Sequence, residues 1–289
     1  MVEYIGLDIG GTNIRVGGID KDEKIIYSYS ESTLNNVNNI DDLYNKIKRL
    51  IEMVPNYNSV KAIGISVAGS VDKNTSRVVT SKNISMLINY PLKEKLSEYF
   101  NKKVSIENDA KVIALAESIK GRGKNKNIVC YITISTGCGG AVVIDNQIYK
   151  GSNNFGGYLP RIILDGKNTA DNLLSGRALL IRGKEKLNIN EVKELFKLYK
   201  DGNKIAKSII EDFKHNLVVL LLNVSATINP DIFILGGGII KDAELFLDDV
   251  KKEYYNLIHP LAKDTIIEIS NLKDSGIIGA CLLAKKNKY

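Results

Sequence analysis

DIGGTNIRVGGID, Asp8 to Asp20, decides how this chain is read. It is an apolar approach, a Gly/Thr-rich turn and a second apolar run ending in Ile-Asp. TISTGCGGAVVID, Thr133 to Asp145, repeats the design. Each reads as a strand, a tight turn and a return strand. Glycine is expected to give such turns positive φ and to bare their backbone N–H groups. Successive bare N–H groups make an anion-binding nest. A single hairpin of this kind would be a plain turn. Two related ones, one in each half of a 289-residue chain, predict two domains gripping one polyphosphate between them.

Other phosphate motifs fit poorly. A P-loop needs Gly-Lys-Ser/Thr leading into a helix, and a dinucleotide fingerprint also opens a helix. Here IRVGGID follows the first turn, and it is short and β-rich. Neither turn contains Lys. Gly10, Gly11, Thr12 and Asn13 in the first turn, with Thr136 and Gly137 in the second, are the candidate phosphate contacts. Asp8 precedes the first turn, where a carboxylate would hold Mg²⁺ through water.

Composition narrows the class. Hydrophobic content of 44% and charged content of 25% suit a globular enzyme of one large or two ordinary domains. The cysteines, at 130, 138 and 281, make neither a disulfide framework nor a close-spaced metal cluster. With only His215 and His259 besides, no structural zinc is expected. A reduced, cytoplasmic setting follows from the cysteine usage. The net charge is +7, but the lysines are spread along the chain. An anionic small-molecule ligand fits this better than nucleic acid. No stretch reads as a signal peptide, and the apolar run LVVLLLNVSATI is too short to span a bilayer.

The elements alternate as two β-meanders, each followed by α/β segments, which predicts an α/β fold with duplicated halves. Expected helices lie near 40–53, over PLKEKLSEYF, from Ala110 to Gly121, and at about 171–184, 190–200, 203–227, 241–257 and 275–286. KGRGKNKN is the linker candidate. It divides the chain into a smaller domain, 1–120, and a larger one, 121–289, whose final helix packs back on the first.

Three further segments carry chemistry. Glu107-Asn108-Asp109 ends a strand and starts a helix. By itself Asp109 reads as a helix cap. Between two phosphate hairpins it reads as a base taking a hydroxyl proton during attack on phosphorus. LGGGIIKD follows a buried strand, and Gly236, Gly237 and Gly238 would let adenine and ribose lie on backbone. In SGIIGACLLA, Gly276 and Gly279 share a helix face, and close packing and ligand contact both stand as readings.

Together these motifs resemble the ROK family of sugar kinases, of the two-domain actin/hexokinase/Hsp70-like (ribonuclease H-like) fold with a cleft between duplicated halves. The resemblance covers nearly the whole chain. It implies ATP and Mg²⁺ as cofactors, phosphoryl transfer to the C6 hydroxyl of a sugar, and a homodimer. IGISVAGSVD and SKNI match the sugar-lining loop and asparagine, implying Gly69 and Asn83. ENDAKVIALAE matches the base motif, implying Asp109 as base and Asn108 as a sugar contact. ISTGCGGAVV and ILGGG match the second phosphate motif and the adenosine motif.

The departures bear on the sugar. The family's Gly-Glu-x-Gly-His is here Gly157-Tyr158-Leu159-Pro160-Arg161, and its Cys-rich zinc segment is replaced by GKNTADNLLSG. Asp171 falls where the family often has a further sugar-binding Glu. For Tyr158 and Arg161 two readings stand: donors to a sugar substituent, or a packed tyrosine and a solvated arginine. The expectation is an amino-sugar kinase, first of all a zinc-less N-acetylmannosamine kinase. Glucokinase, fructokinase and a silent sugar-sensing relative are the alternatives. The phosphate strand begins by Tyr4, where the family's repressors carry a DNA-binding module, so DNA binding is not expected.

Overall fold

The computed structural model describes residues 1–286, which form two compact units. Among the described residues, the first comprises Met1–Gly121, Lys150–Gly156 and residues 272–286; the second comprises Arg122–Tyr149 and Gly157–Asn271.

In the first unit β1 (Tyr4–Ile9), β2 (Asn13–Ile19) and β3 (Ile25–Ser32) form an antiparallel meander. Helix α1 (Ile40–Glu52) follows, capped by the Asn39 side chain on Asp42 N–H, and buries Leu43, Ile47, Leu50 and Ile51 along one stripe. β4 (Ala62–Val67) pairs parallel to β1 and is buried at every position, as a central strand covered on both faces must be. A small ribbon of β5 (Ser70–Val71) and β6 (Val78–Thr80) leads to α2 (Leu92–Phe100), β7 (Lys103–Asn108) and α3 (Asp109–Lys120). The sheet order is β3-β2-β1-β4-β7.

The second unit repeats this plan. β8 (Ile128–Ile134), β9 (Cys138–Ile144) and β10 (Gln147–Ile148) are its meander, and β11 (Ile232–Gly236) and β12 (Ile266–Ile269) extend it in parallel. The order β10-β9-β8-β11-β12 matches the first sheet strand for strand. Its helices are α4 (Ala170–Leu174), α5 (Gly176–Leu187), α6 (Val192–Lys200), α7 (Lys204–Ile228) and α8 (Leu247–Leu257). The 25-residue α7 buries Phe213, Leu217, Leu220, Leu221 and Val224 in the core. The last helix, α9 (Ser275–Lys286), belongs to the first unit.

Several expectations are corrected. A single cut at 120/121 misses Lys150–Gly156, which polar contacts from Asn154 fasten to the first unit. The units are close to equal in length, because α9 and that segment move from the second to the first. The helix expected at 171–184 is two helices, broken at Ser175, whose extended backbone and side chain cap α5. The one expected at 241–257 starts as a 3-10 turn over Ile239–Leu245, and α8 begins only after Phe246.

The two glycines of α9 do different jobs. A Cβ on Gly279 would run into the Val112 carbonyl, so this glycine permits close packing on α3. Gly276 instead lies against the Asp8 carboxylate.

Candidate active site

In the first unit the candidate groups gather at the C-terminal ends of β1, β4 and β7, where open α/β sheets place their ligands. Asp8 closes β1, and its Oδ1 accepts from Ser66 Oγ of β4 at 2.8 Å. Burial pushes the Asp8 carboxyl above the usual range, opposed by that hydrogen bond and by Arg15. The turn after it is closed by Gly10 N–H donating to the Asn13 carbonyl at 3.0 Å. Buried Thr33 braces it from β3's side, its Oγ1 donating to Gly10 O at 2.6 Å and its N–H to Thr12 O at 2.9 Å. The Thr12 and Asn13 side chains remain exposed.

The hairpin glycines are not there for positive φ, contrary to the sequence expectation. The positive-φ glycines among the described residues are 151, 157, 166, 202 and 237. Gly11 is required by approach, since a Cβ would stand 2.6 Å from Asn83 Cβ. That packing brings the sequence-predicted Asn83 beside the first turn. Gly69 is likewise hemmed in, since a Cβ there would stand 2.6 Å from the Thr80 carbonyl oxygen.

Asp109 is the first residue of α3, and Asn108, not Asp109, is its cap: Asn108 Oδ1 accepts from Lys111 N–H at 3.2 Å. The Asn108 amide donates to the Gly69 carbonyl at 3.0 Å and to Asp109 Oδ1 at 2.8 Å. Both amide protons are thereby used, and the side chain is 8% exposed. The residue expected to contact the sugar thus also holds its neighbour's carboxylate. Asp109 Oδ1 also accepts from Ala110 N–H at 2.8 Å. Burial pushes the Asp109 carboxyl up to about 6, and the Asp8 charge adds to the shift. A carboxylate near neutrality, ionised but basic, is what a general base requires.

The second unit holds the other phosphate candidates. Ser135 N–H donates to Gly137 O at 2.8 Å across the β8–β9 turn. The N-terminus of α5 docks there, with Gly176 N–H on Ser135 O at 2.7 Å and Arg177 N–H on Thr136 O at 3.1 Å. Gly237, at φ +97°, lies against the Ile134 carbonyl, and Gly236 packs on Tyr131. The hairpin turn and the glycine loop thus meet at the ends of the paired strands β8 and β11. A cavity of ≈ 570 Å³ adjoins Gly238, walled by Val192, Phe196 and Lys197 of α6 and by Ile239.

Asp171 is brought to the hairpin, its Oδ1 accepting from Cys138 N–H at 2.8 Å. One carboxylate oxygen thus supports the β8–β9 turn, a role that sequence reasoning missed. Leu159 packs over Gly140 of β9, and Gly157 over Val142, so Tyr158–Arg161 covers the return strand. Tyr158 is partly buried and Arg161 exposed. Thr33, Ser66 and the α5 N-terminus were also missed: no local pattern marks a residue that supports a turn from another strand. Among the described residues, no group of three or more His, Cys, Asp and Glu side chains could hold a metal ion.

The family model for ROK matches residues 4–287. The chain belongs to the ROK family. It is 26% identical over 311 residues to a glucokinase of Thermotoga maritima, covering 99% of this chain and 98% of that one. It is also 26% identical over 291 residues to an N-acetylmannosamine kinase of Vibrio cholerae, covering 96% of each. Among solved structures, a ROK glucokinase from Streptomyces griseus in complex with glucose and AMPPNP superposes with TM-score 0.80 at 24% identity, covering 98% of this chain and 99% of that one. The fold is thus of the actin/hexokinase-like class, with the two-sheet plan described above.

Proposed function

We propose that this ROK protein is an ATP-dependent sugar kinase in which Asp109 is the general base. One observation carries the reading: at the end of β7 the Asn108 amide, held on the Gly69 carbonyl, fixes the Asp109 carboxylate, and burial raises that carboxyl to about 6. The sugar hydroxyl loses its proton to Asp109 as its oxygen attacks the γ-phosphorus, and the bond to the ADP oxygen breaks. In-line transfer needs positioning and charge stabilisation more than covalent chemistry. The hairpin N–H groups after Asp8 and Ile134 suit phosphate oxygens. The glycine loop Gly236–Gly238 and the apolar wall beside it suit adenosine.

Asp8 fits Mg²⁺ held through water, because this ion keeps most of its own waters and asks for one or two carboxylates. When bound, the ion supplies neutralisation of charge on the transferred phosphate. Asp8 presents one oxygen to Ser66 and is only partly buried, which leaves it able to accept from such waters.

N-acetylmannosamine is the substrate we propose, with C6 the phosphorylated position. The support is the rewritten wall at Tyr158 and Arg161, whose donors suit an amide carbonyl, and the likeness to the Vibrio cholerae kinase. Glucose is the second reading, favoured by the likeness to glucokinases. A panel of sugars assayed with ATP by coupled ADP release tests both. Turnover of glucose alone would overturn the first, and no turnover of any hexose or hexosamine would overturn the kinase reading.

A further inference from the structure

Beside the base, and outside the groups assigned above to ATP or sugar, lies a closed polar cluster. Glu107 and Lys111 are each 1% exposed. The Asn154 amide bridges them. Lys111 Nζ donates to Asn154 Oδ1 at 2.8 Å and to the Asn154 carbonyl at 2.6 Å. Asn154 Nδ2 donates to Glu107 Oε1 at 2.9 Å and to the Val71 carbonyl at 2.8 Å. Glu107 Oε1 also accepts from Asn108 N–H at 2.9 Å, and Oε2 pairs with Lys150 at 3.1 Å.

The charges dictate which way the Asn154 amide points. Its oxygen faces an ammonium and its NH₂ faces a carboxylate; a flipped amide would oppose both. Removing two charges from water is costly, and a buried pair is poor evidence of stability by itself. What the cluster does hold is geometry. It ties the end of β7 and the first turn of α3 to the backbone at Val71 of β5, two residues after the Gly69 carbonyl that takes the Asn108 amide. Those are the two pieces of chain between which Asp109 is aimed.

We infer that Lys111 and Asn154, acting with Glu107, are positioning residues for phosphoryl transfer: they hold the Asn108–Asp109 peptide and the Gly69–Val71 backbone in register. This rests on Asp109 being the base. Lys111 and Asn154 touch neither reactant; they act through Asn108 and Asp109. Misplacement of a reacting group by about 1 Å is enough to cost on the order of a hundredfold in rate.

The test is a kinetic cycle with Lys111→Met, Asn154→Ala and the double variant, each checked for folding by circular dichroism and thermal melting. Each single variant should lower kcat about tenfold or more while KM for ATP stays within about twofold, as for an interaction felt in the transition state. The double variant should be no slower than the slower single within about twofold, because both changes break one link. Singles with wild-type kcat per folded molecule, or effects that multiply in the double, would overturn the inference. Should Lys111→Met fail to fold, Asn154→Ala, which removes no charge, decides the matter by the same split between kcat and KM. Asp109→Asn is measured alongside. Near-normal turnover there sinks the base reading and this inference with it. An inactive Asp109→Asn beside fully active Lys111 and Asn154 variants sinks the positioning role alone.

Discussion

The Asn108 side chain donates to Asp109 Oδ1 at 2.8 Å while its own Oδ1 caps α3 through Lys111 N–H. Cap and proposed base are thus neighbouring residues with separate duties. The structural role that Asp109 would have by sequence position alone falls to Asn108. Asp109 is left in a partly buried place that disfavours its charge.

Replacing Asp109 by Asn should leave the fold and ATP affinity intact and lower kcat by on the order of 10²–10⁴-fold, the usual worth of a general base. The stability effect has a definite sign. The folded-state carboxyl is raised from 3.8 to about 6, so ionisation is disfavoured in the native state. That penalty is complete above about pH 6 and vanishes as pH falls below the unfolded value. Thermal melts should show Asp109→Asn at least as stable as wild type at pH 8, with any advantage shrinking toward pH 4. A large loss of stability at pH 8 would contradict the assigned environment.

The same shift sets the acid limb of the activity profile. kcat/KM reports groups of the free enzyme, and protonated Asp109 cannot accept the sugar proton. The expected profile rises with pH through about 6 and then levels. A limb near pH 4 would mean that the carboxyl which must ionise is an ordinary exposed one.

Two glycines of the second unit should separate turn from ligand. A Cβ on Gly137 would meet Asp171 Oδ1 at 3.5 Å, an ordinary contact, and the residue has no positive φ. Gly137→Ala should therefore keep its melting temperature yet weaken ATP binding, measured by calorimetry, more than sugar binding. Gly237 sits at φ +97° with the Ile134 carbonyl where a Cβ would go. Gly237→Ala should lower the melting temperature itself. Unchanged nucleotide affinity in Gly137→Ala would remove that turn from the phosphate site.

Metal analysis of protein purified without a histidine tag should find no stoichiometric zinc. Tetrahedral zinc needs about four close N or S ligands. Cys130 and Cys281 are buried in separate cores, and burial pushes the Cys138 thiol up to about 12, away from the thiolate a metal requires. Zinc at one equivalent would overturn this.

Arg161→Ala tests the sugar wall. If the exposed guanidinium meets the substrate, kcat/KM for the true sugar should drop about ten- to a hundredfold, the loss of a charge-assisted hydrogen bond. KM for ATP should hardly move. Discrimination between N-acetylmannosamine and glucose should shrink as well, because an unpaired polar site is what rejects the wrong analogue. Wild-type behaviour on every accepted sugar would make Arg161 a surface residue.

Much of the molecule is written locally. Alternating and continuous apolar runs predict both meanders, and the repeat of DIGGTNIRVGGID in TISTGCGGAVVID predicts duplicated halves; the structure adds that the two sheets share one strand order. Those signals survive in sequence because strand periodicity and turn chemistry act over a few residues. Tertiary structure alone decided the rest. Sequence cannot show that Asn154 would meet Lys111 across 43 positions, that Thr33 would brace a turn 23 residues behind it, or that Asp171 would turn an oxygen to the Cys138 N–H. Nor could composition tell that Gly11 serves close approach, or that none of Gly10, Gly11 and Gly137 takes a positive φ. Burial, which raises the Asp109 carboxyl, depends on everything packed around it. A local motif names the candidate carboxylate; only the folded surroundings set its proton affinity and its aim.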